Sequence, residues 1–217
     1  MTAPPGLERI LFTEEQVNQR IQEVAAEISA KYHGRDLKLI AVLKGAVFFM
    51  TALARAIEIP LKVDFLAISS FGSGSPGMVR IAKDLDHPIQ DEDVLLVEDI
   101  VDTGFTTRYL LQTLAGREPR SLGICTLLDR TSRRIVQVPV DYRCFEIPDR
   151  FVVGCGLDFQ QRYRNLGYIA VMDPEKVLEA EEACTKLAYL QQSDPETDAE
   201  DWSNAEEWKP DTPTSTG

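Results

Sequence analysis

The chain has 217 residues, 44% hydrophobic and 27% charged, which is length and apolar content enough for one domain with a substantial core. Its formal net charge is −12, and from Glu179 onward eleven acids face only Lys186 and Lys209, so the end carries −9 and the rest −3. Nowhere do Lys and Arg cluster as a nucleic-acid surface requires, and no apolar run nears the roughly 20 residues of a membrane-spanning helix.

Met1 to Gly6 is small and Pro-rich, reads as loose chain, and has no basic-then-apolar leader pattern. Thr13-Glu14-Glu15-Gln16 is a capping box, with Thr as N-cap and Gln three residues on. Val17, Ile21, Val24, Ala25 and Ile28 follow at helical spacing, and Gly34 is the stop. The spacing then predicts a strand over Leu37–Leu43, a helix over Val47–Ala56 and a strand over Val63–Ile68. Gly72–Gly77 is a Gly/Ser/Pro loop. Val94–Val97 predicts a buried strand, Thr106–Leu114 a helix and Leu122–Leu128 another strand. This alternation predicts an α/β fold, a twisted and mainly parallel sheet flanked by helices. Shorter strands are expected around Tyr142–Glu146, Phe151–Val153 and Tyr168–Met172. With the N-terminal segment they are expected to make a small hood lobe from about 140–172. Cys125, Cys144, Cys155 and Cys184 form no C-x-x-C pair and read as free thiols of a reducing cytoplasm. Residues 1–190 are expected as a single domain. Residues 191–217 are too acidic and too poor in apolar side chains to order themselves, apart from Trp202 and Trp208, and are expected to be a disordered tail.

The chemistry concentrates in Val94-Leu-Leu-Val-Glu98-Asp99-Ile-Val-Asp102-Thr103-Gly104-Phe105-Thr106-Thr107. An apolar strand ends in two adjacent carboxylates, and a short loop leads directly into a helix. In an open parallel sheet, ligands bind beyond the carboxyl ends of the strands. A loop entering a helix offers free N–H groups and the positive end of the helix dipole. Gly104 allows close backbone approach, and Thr103, Thr106 and Thr107 add hydroxyls, so the loop suits one phosphate monoester. It lacks the Lys of a nucleoside-triphosphate P-loop. Asp102 is also well suited to cap the following helix.

This segment resembles the phosphoribosyl-pyrophosphate motif of type I phosphoribosyltransferases. Further segments resemble the hypoxanthine-guanine phosphoribosyltransferases in particular. Val42-Leu43-Lys44-Gly45-Ala46 is similar to that family's pyrophosphate loop, and Ser69-Ser70-Phe71-Gly72-Ser73-Gly74 to its closing loop. Phe145-Glu-Ile-Pro-Asp-Arg150-Phe151-Val152-Val153-Gly154, Leu157-Asp158 and Tyr163-Arg164-Asn165-Leu166 are similar to its purine and magnesium region. The resemblance runs from about Thr13 to Met172.

It implies a Mg²⁺-dependent enzyme of purine salvage. Such an enzyme carries 5-phosphoribosyl from phosphoribosyl pyrophosphate to N9 of hypoxanthine or guanine, giving IMP or GMP and pyrophosphate. It also implies a homodimer or homotetramer. Glu98 and Asp99 are expected on the ribose hydroxyls and a magnesium ion, Asp158 on a second magnesium ion and the purine side. Asp102 is expected at purine N7, taking the proton that leaves as N9 attacks. Lys44, Gly45, Thr103, Gly104, Phe105, Thr106, Thr107 and Arg164 are expected on the phosphates, with a cis Leu43–Lys44 peptide. Phe151 is expected to stack on the base, Val152 to read its edge, and Ser70 and Phe71 to close over it.

Three departures from the family stand out. Arg130 occupies the place of a Lys that donates to the purine 6-oxygen. Phe71 stands for a Tyr. The stretch Gly72–Val79 is short. Other readings are a regulator that senses phosphoribosyl pyrophosphate, a nucleotide-binding module without chemistry, and a transferase for adenine or orotate.

Overall fold

The computed structural model describes residues 6–70, 79–179 and 182. The chain divides into a unit at Met1–Val177 and a second at Leu178–Gly217, and all elements named below lie in the first. The loop at Gly72–Gly77, Phe71 and the tail at 191–217 lie outside the described residues.

Strand β1 (Leu7–Phe12) leads into helix α1 (Glu14–Lys31). The capping box forms: Gln16 N–H donates to Thr13 Oγ1 at 3.3 Å, and Thr13 N–H to Gln16 Oε1 at 2.9 Å. Val17, Ile21, Val24, Ala25 and Ile28 form the buried stripe of α1. Then come β2 (Leu37–Leu43), α2 (Ala46–Ala56), β3 (Leu61–Ser70), β4 (Val79–Lys83), β5 (Asp93–Val101), α3 (Phe105–Ala115), β6 (Ser121–Asp129), β7 (Tyr142–Glu146), β8 (Val152–Val153) and β9 (Ile169–Met172).

Six strands make one sheet in the order β4-β3-β2-β5-β6-β7, parallel except for the antiparallel edge strand β4. Alternation along each central strand feeds two cores. Leu37, Leu39, Ala41, Leu95, Val97, Cys125 and Leu127 face α1 and α2. Ile40, Val42, Val94, Leu96 and Ile124 face α3 through Leu110 and Leu114. Burial on both faces is why these strands read as unbroken apolar runs.

From β2 the chain crosses through α2 to β3 on one side, and from β5 through α3 to β6 on the other. The crevice between the carboxyl ends of β2 and β5 is therefore a topological switch point, the place where such sheets bind ligands.

The hood is a three-stranded sheet, β1-β9-β8, all antiparallel. One expectation needs correction. The strand at Tyr142–Glu146 does not join the hood but extends the large sheet, parallel to β6, with Cys125 opposite Tyr142 and Leu128 opposite Phe145. Its buried Tyr142 and Cys144 pack into the core shared with α1, which outweighs its closeness in sequence to the hood strands. No helix among the described residues is long and apolar enough to cross a membrane.

Candidate active site at the switch point

Strand β5 runs through Glu98 and Asp99 to Val101, so the two carboxylates sit within its last turns of pleat rather than after it. Successive strand residues point to opposite faces, and the two acids differ accordingly. Glu98 is buried, and burial and the neighbouring Asp99 charge push its carboxyl well above the usual range. Its Oε1 has no hydrogen-bond partner. Asp99 is also raised, first by burial, while Ile100 N–H donates to its Oδ1 at 2.9 Å and Arg164 pulls the other way.

After β5 the chain turns at Gly104, whose φ of +89° belongs to the left-handed region that glycine adopts freely. A side chain there would also strike the Val136 carbonyl. Gly104 is the N-cap residue of α3 and no side chain caps the helix. Asp102 is thus not the helix cap, contrary to one sequence expectation. The first intrahelical bond runs from Arg108 N–H to Gly104 O at 2.9 Å, so the amides of Phe105, Thr106 and Thr107 lie ahead of the ladder and can meet an anion.

Asp102 instead pairs with arginines from the segment after β6. Arg130 Nη1 donates to its Oδ2 at 3.2 Å, and Arg133 Nη1 lies 3.8 Å from the same oxygen. Asp102 Oδ1 is buried and unpartnered. Arg130 is buried, and its other terminal nitrogen donates to Arg150 O at 2.7 Å.

On the opposite wall, the Leu43–Lys44 peptide after β2 is cis. Gly45 follows where a Cβ would collide with the Asp99 carboxylate, so close contact between the two loops requires glycine. Lys44 Nζ donates to Gln161 Oε1 at 3.1 Å. Arg164 donates to Gly156 O at 2.7 Å, approaches the same Gln161 oxygen at 3.4 Å, and pairs with Asp158 at 2.6 Å.

These walls enclose a cavity of about 310 Å³ lined by Lys44, Gly45, Glu98, Asp99, Asp102, Thr103, Gly104, Thr106, Thr107 and Arg164. Those expected residues come together. Arg130, Phe151, Val152 and Asp158 do not line the cavity and stand behind or beside it. Phe151 is 41% exposed and meets Phe159 edge-on at 5.8 Å, whereas Val152 is buried in β8. The Phe105 ring is 50% exposed at the start of α3, so what that residue turns toward the loop is backbone. Ser70 ends β3, at the limit of the described residues. Glu98, Asp99 and Asp158 do not form a self-contained metal cluster, and no three His, Cys, Asp or Glu side chains do so among the described residues.

Sequence reasoning missed Gln161 and Arg134. Gln161, at φ +65°, joins Lys44 to Arg164. Nothing in Phe159-Gln-Gln-Arg162 signals a left-handed turn. Burial pushes the Cys155 thiol up to about 11, and the thiol donates to Gly167 O at 3.2 Å, an environment that favours the protonated thiol.

Residues 10–160 match the family model for the phosphoribosyl transferase domain. A hypoxanthine-guanine phosphoribosyltransferase of Mycobacterium avium is 50% identical over 179 residues, covering 79% of this chain and 88% of the relative. A crystal structure of a hypoxanthine phosphoribosyltransferase from Staphylococcus aureus superposes with a TM-score of 0.75 at 41% identity, covering 78% of this chain and 94% of that one. The Trypanosoma cruzi hypoxanthine phosphoribosyltransferase in complex with the product IMP gives 0.75 at 40% identity, covering 81% and 99%. With the switch-point cavity and its acid pair, these similarities show that the chain belongs to the hypoxanthine-guanine phosphoribosyltransferase family.

Proposed function

We propose that the chain transfers 5-phosphoribosyl from phosphoribosyl pyrophosphate to N9 of hypoxanthine, guanine or both, yielding IMP or GMP and pyrophosphate in purine salvage. The observation that carries this reading is the single cavity in which a carboxylate pair, a helix-entry phosphate cradle and a Lys–Arg wall converge at the switch point. In the reaction the bond from C1′ to the pyrophosphate oxygen breaks as the N9–C1′ bond forms, and positive charge grows on the ribose. Glu98 and Asp99 accept hydrogen bonds from the 2′- and 3′-hydroxyls and stabilise that charge. The amides and hydroxyls of Thr103, Gly104, Phe105, Thr106 and Thr107 take the 5′-phosphate. Lys44 and the Gly45 backbone, with Arg164, take the departing pyrophosphate.

Asp102 takes the N7 proton of the attacking purine. Its unpartnered Oδ1 supports this, because a buried carboxylate oxygen without a donor is ready to accept one. Arg130 spends one N–H of each terminal nitrogen on Asp102 and the Arg150 carbonyl, and its Nε is buried without a partner, so it can hold Asp102 in position and still donate to the purine 6-oxygen. Phe151 stacks on the base from the rim, Val152 holds the edge-reading backbone, and Ser70 and Phe71 belong to the closing segment.

The donor set also fits Mg²⁺. Glu98, Asp99 and Asp158 offer hard carboxylate oxygens, and the raised carboxyls of Glu98 and Asp99 are relieved by a cation. One or two carboxylates suffice, because Mg²⁺ usually completes its shell with substrate oxygens and water. When bound, the ion neutralises charge on the pyrophosphate.

A homodimer or homotetramer in the cytoplasm belongs to the same reading. It is supported by family membership and by free Cys125, Cys144 and Cys155. The test is incubation with phosphoribosyl pyrophosphate, Mg²⁺ and hypoxanthine, guanine, xanthine or adenine in turn, following nucleotide formation. No nucleotide from either hypoxanthine or guanine would sink the reading.

A further inference from the structure

Arg134 does not line the cavity, yet its side chain is only 7% exposed. Its Nε donates to Asp102 O at 2.8 Å and an outer nitrogen to Val101 O at 3.1 Å. The same outer nitrogen pairs closely with Asp129, itself buried and held from behind by Arg143 Nη1 at 3.1 Å. The next two amides, of Ile135 and Val136, donate to Thr103 O at 3.0 and 2.9 Å. One strap thus grips the carbonyls of residues 101, 102 and 103 in succession.

Core filling does not account for this. A buried ion pair gains little over apolar side chains of similar volume. What Arg alone supplies is a planar fork that fixes two carbonyls and a carboxylate at once. Because each peptide unit is planar, fixing a carbonyl fixes the following N–H and the exit direction of the chain. The side chain so directed is that of Asp102, and the amides so directed are those of Asp102 and Thr103.

We propose that Arg134 is a positioning residue for phosphoribosyl transfer: anchored on Asp129, its guanidinium holds the Val101 and Asp102 carbonyls so that the Asp102 carboxylate meets the purine as N9 attacks C1′. The inference rests on the transfer reading above. Misplacement of a reacting group by 1 Å can cost about 10²-fold, so the brace has kinetic weight.

Arg134→Lys keeps the charge that Asp129 needs but cannot span both carbonyls. Asp129→Asn loosens the anchor while leaving Arg134 on those carbonyls. Three quantities are measured on each: single-turnover nucleotide formation, pyrophosphate affinity by calorimetry with Mg²⁺, and melting temperature. For Arg134→Lys the turnover rate falls by about tenfold or more. Pyrophosphate affinity stays within about twofold, because Lys44 and Arg164 stand on other segments. Asp129→Asn shifts the rate in the same direction by a smaller factor. An unchanged rate in folded Arg134→Lys overturns the proposal. Equal losses of rate and pyrophosphate affinity overturn it too, as does failure to fold, since each marks a general brace. A wild-type chain that makes no nucleotide overturns the transfer reading instead, before any variant is compared.

Discussion

Three residues at the site each tie stability to chemistry in a different way. Gly45 occupies the one spot where a methyl group would strike the Asp99 carboxylate. Gly45→Ala therefore displaces Asp99 or the Lys44 loop, and nucleotide formation should fall by about 10²-fold with overall fold retained; circular dichroism and initial rates check both halves. Glu98 is a buried acid with its carboxyl pushed up by burial and by Asp99. A folded state that keeps a proton longer than the unfolded chain loses stability as pH rises from the unfolded Glu range, about 4.3, through the raised folded value. Glu98→Gln removes that loss. Ligand-free, the variant should gain in melting temperature over wild type as pH goes from acid to neutral, while losing activity; a constant difference across pH would refute the assignment. Asp102 is the third. It does not cap α3 but partners buried Arg130, so Asp102→Asn should lower the melting temperature as well as the rate. The rate loss expected for a proton acceptor is about 10²–10⁴-fold. A variant with a normal single-turnover rate would assign the proton elsewhere.

Among the elements, β7 is an edge strand of the large sheet among the described residues. Arg20 of α1 ties down two of its carbonyls: its Nε donates to Cys144 O at 3.2 Å and Nη2 to Arg143 O at 3.0 Å. Arg20→Met should cost about 1 kcal/mol in urea unfolding, after discounting for partial exposure, and leave the rate of nucleotide formation unchanged. The long central strands and the helices were legible because a doubly covered strand needs an unbroken apolar run and a helix needs its stripe and cap. Leu37–Leu43 and the Thr13 capping box came out residue for residue. β1 and β4 were not legible. Leu7-Glu-Arg-Ile-Leu-Phe12 and Val79-Arg-Ile-Ala-Lys83 are short and charged, and they are strands because distant backbone, β9 and β3, pairs with them. β7 was legible as a strand but not as a member of the large sheet.

At the scale of the whole molecule, the reaction depends on loops from three strands meeting over one crevice, with a divalent ion completing the charge balance in the proposed mechanism. Excess chelator should abolish nucleotide formation, and Mg²⁺ or Mn²⁺ should restore it; full turnover without divalent metal would contradict the role given to Glu98, Asp99 and Asp158. The sequence by itself determined the α/β class, the Thr- and Gly-containing loop that enters α3, and the acid pair. Each of these is local: a hydrophobic period, a turn residue, or a run of functional groups within about a dozen positions. Only the tertiary structure decided which residues stand behind them. Gln161 reaches Lys44 across 117 positions, and Arg134 and Arg130 reach Asp102 across 32 and 28. Nothing local selects those partners. They are chosen by where parallel strands end side by side, and a buried charge brought there must find its counter-charge or carbonyl among whatever groups the neighbouring loops deliver.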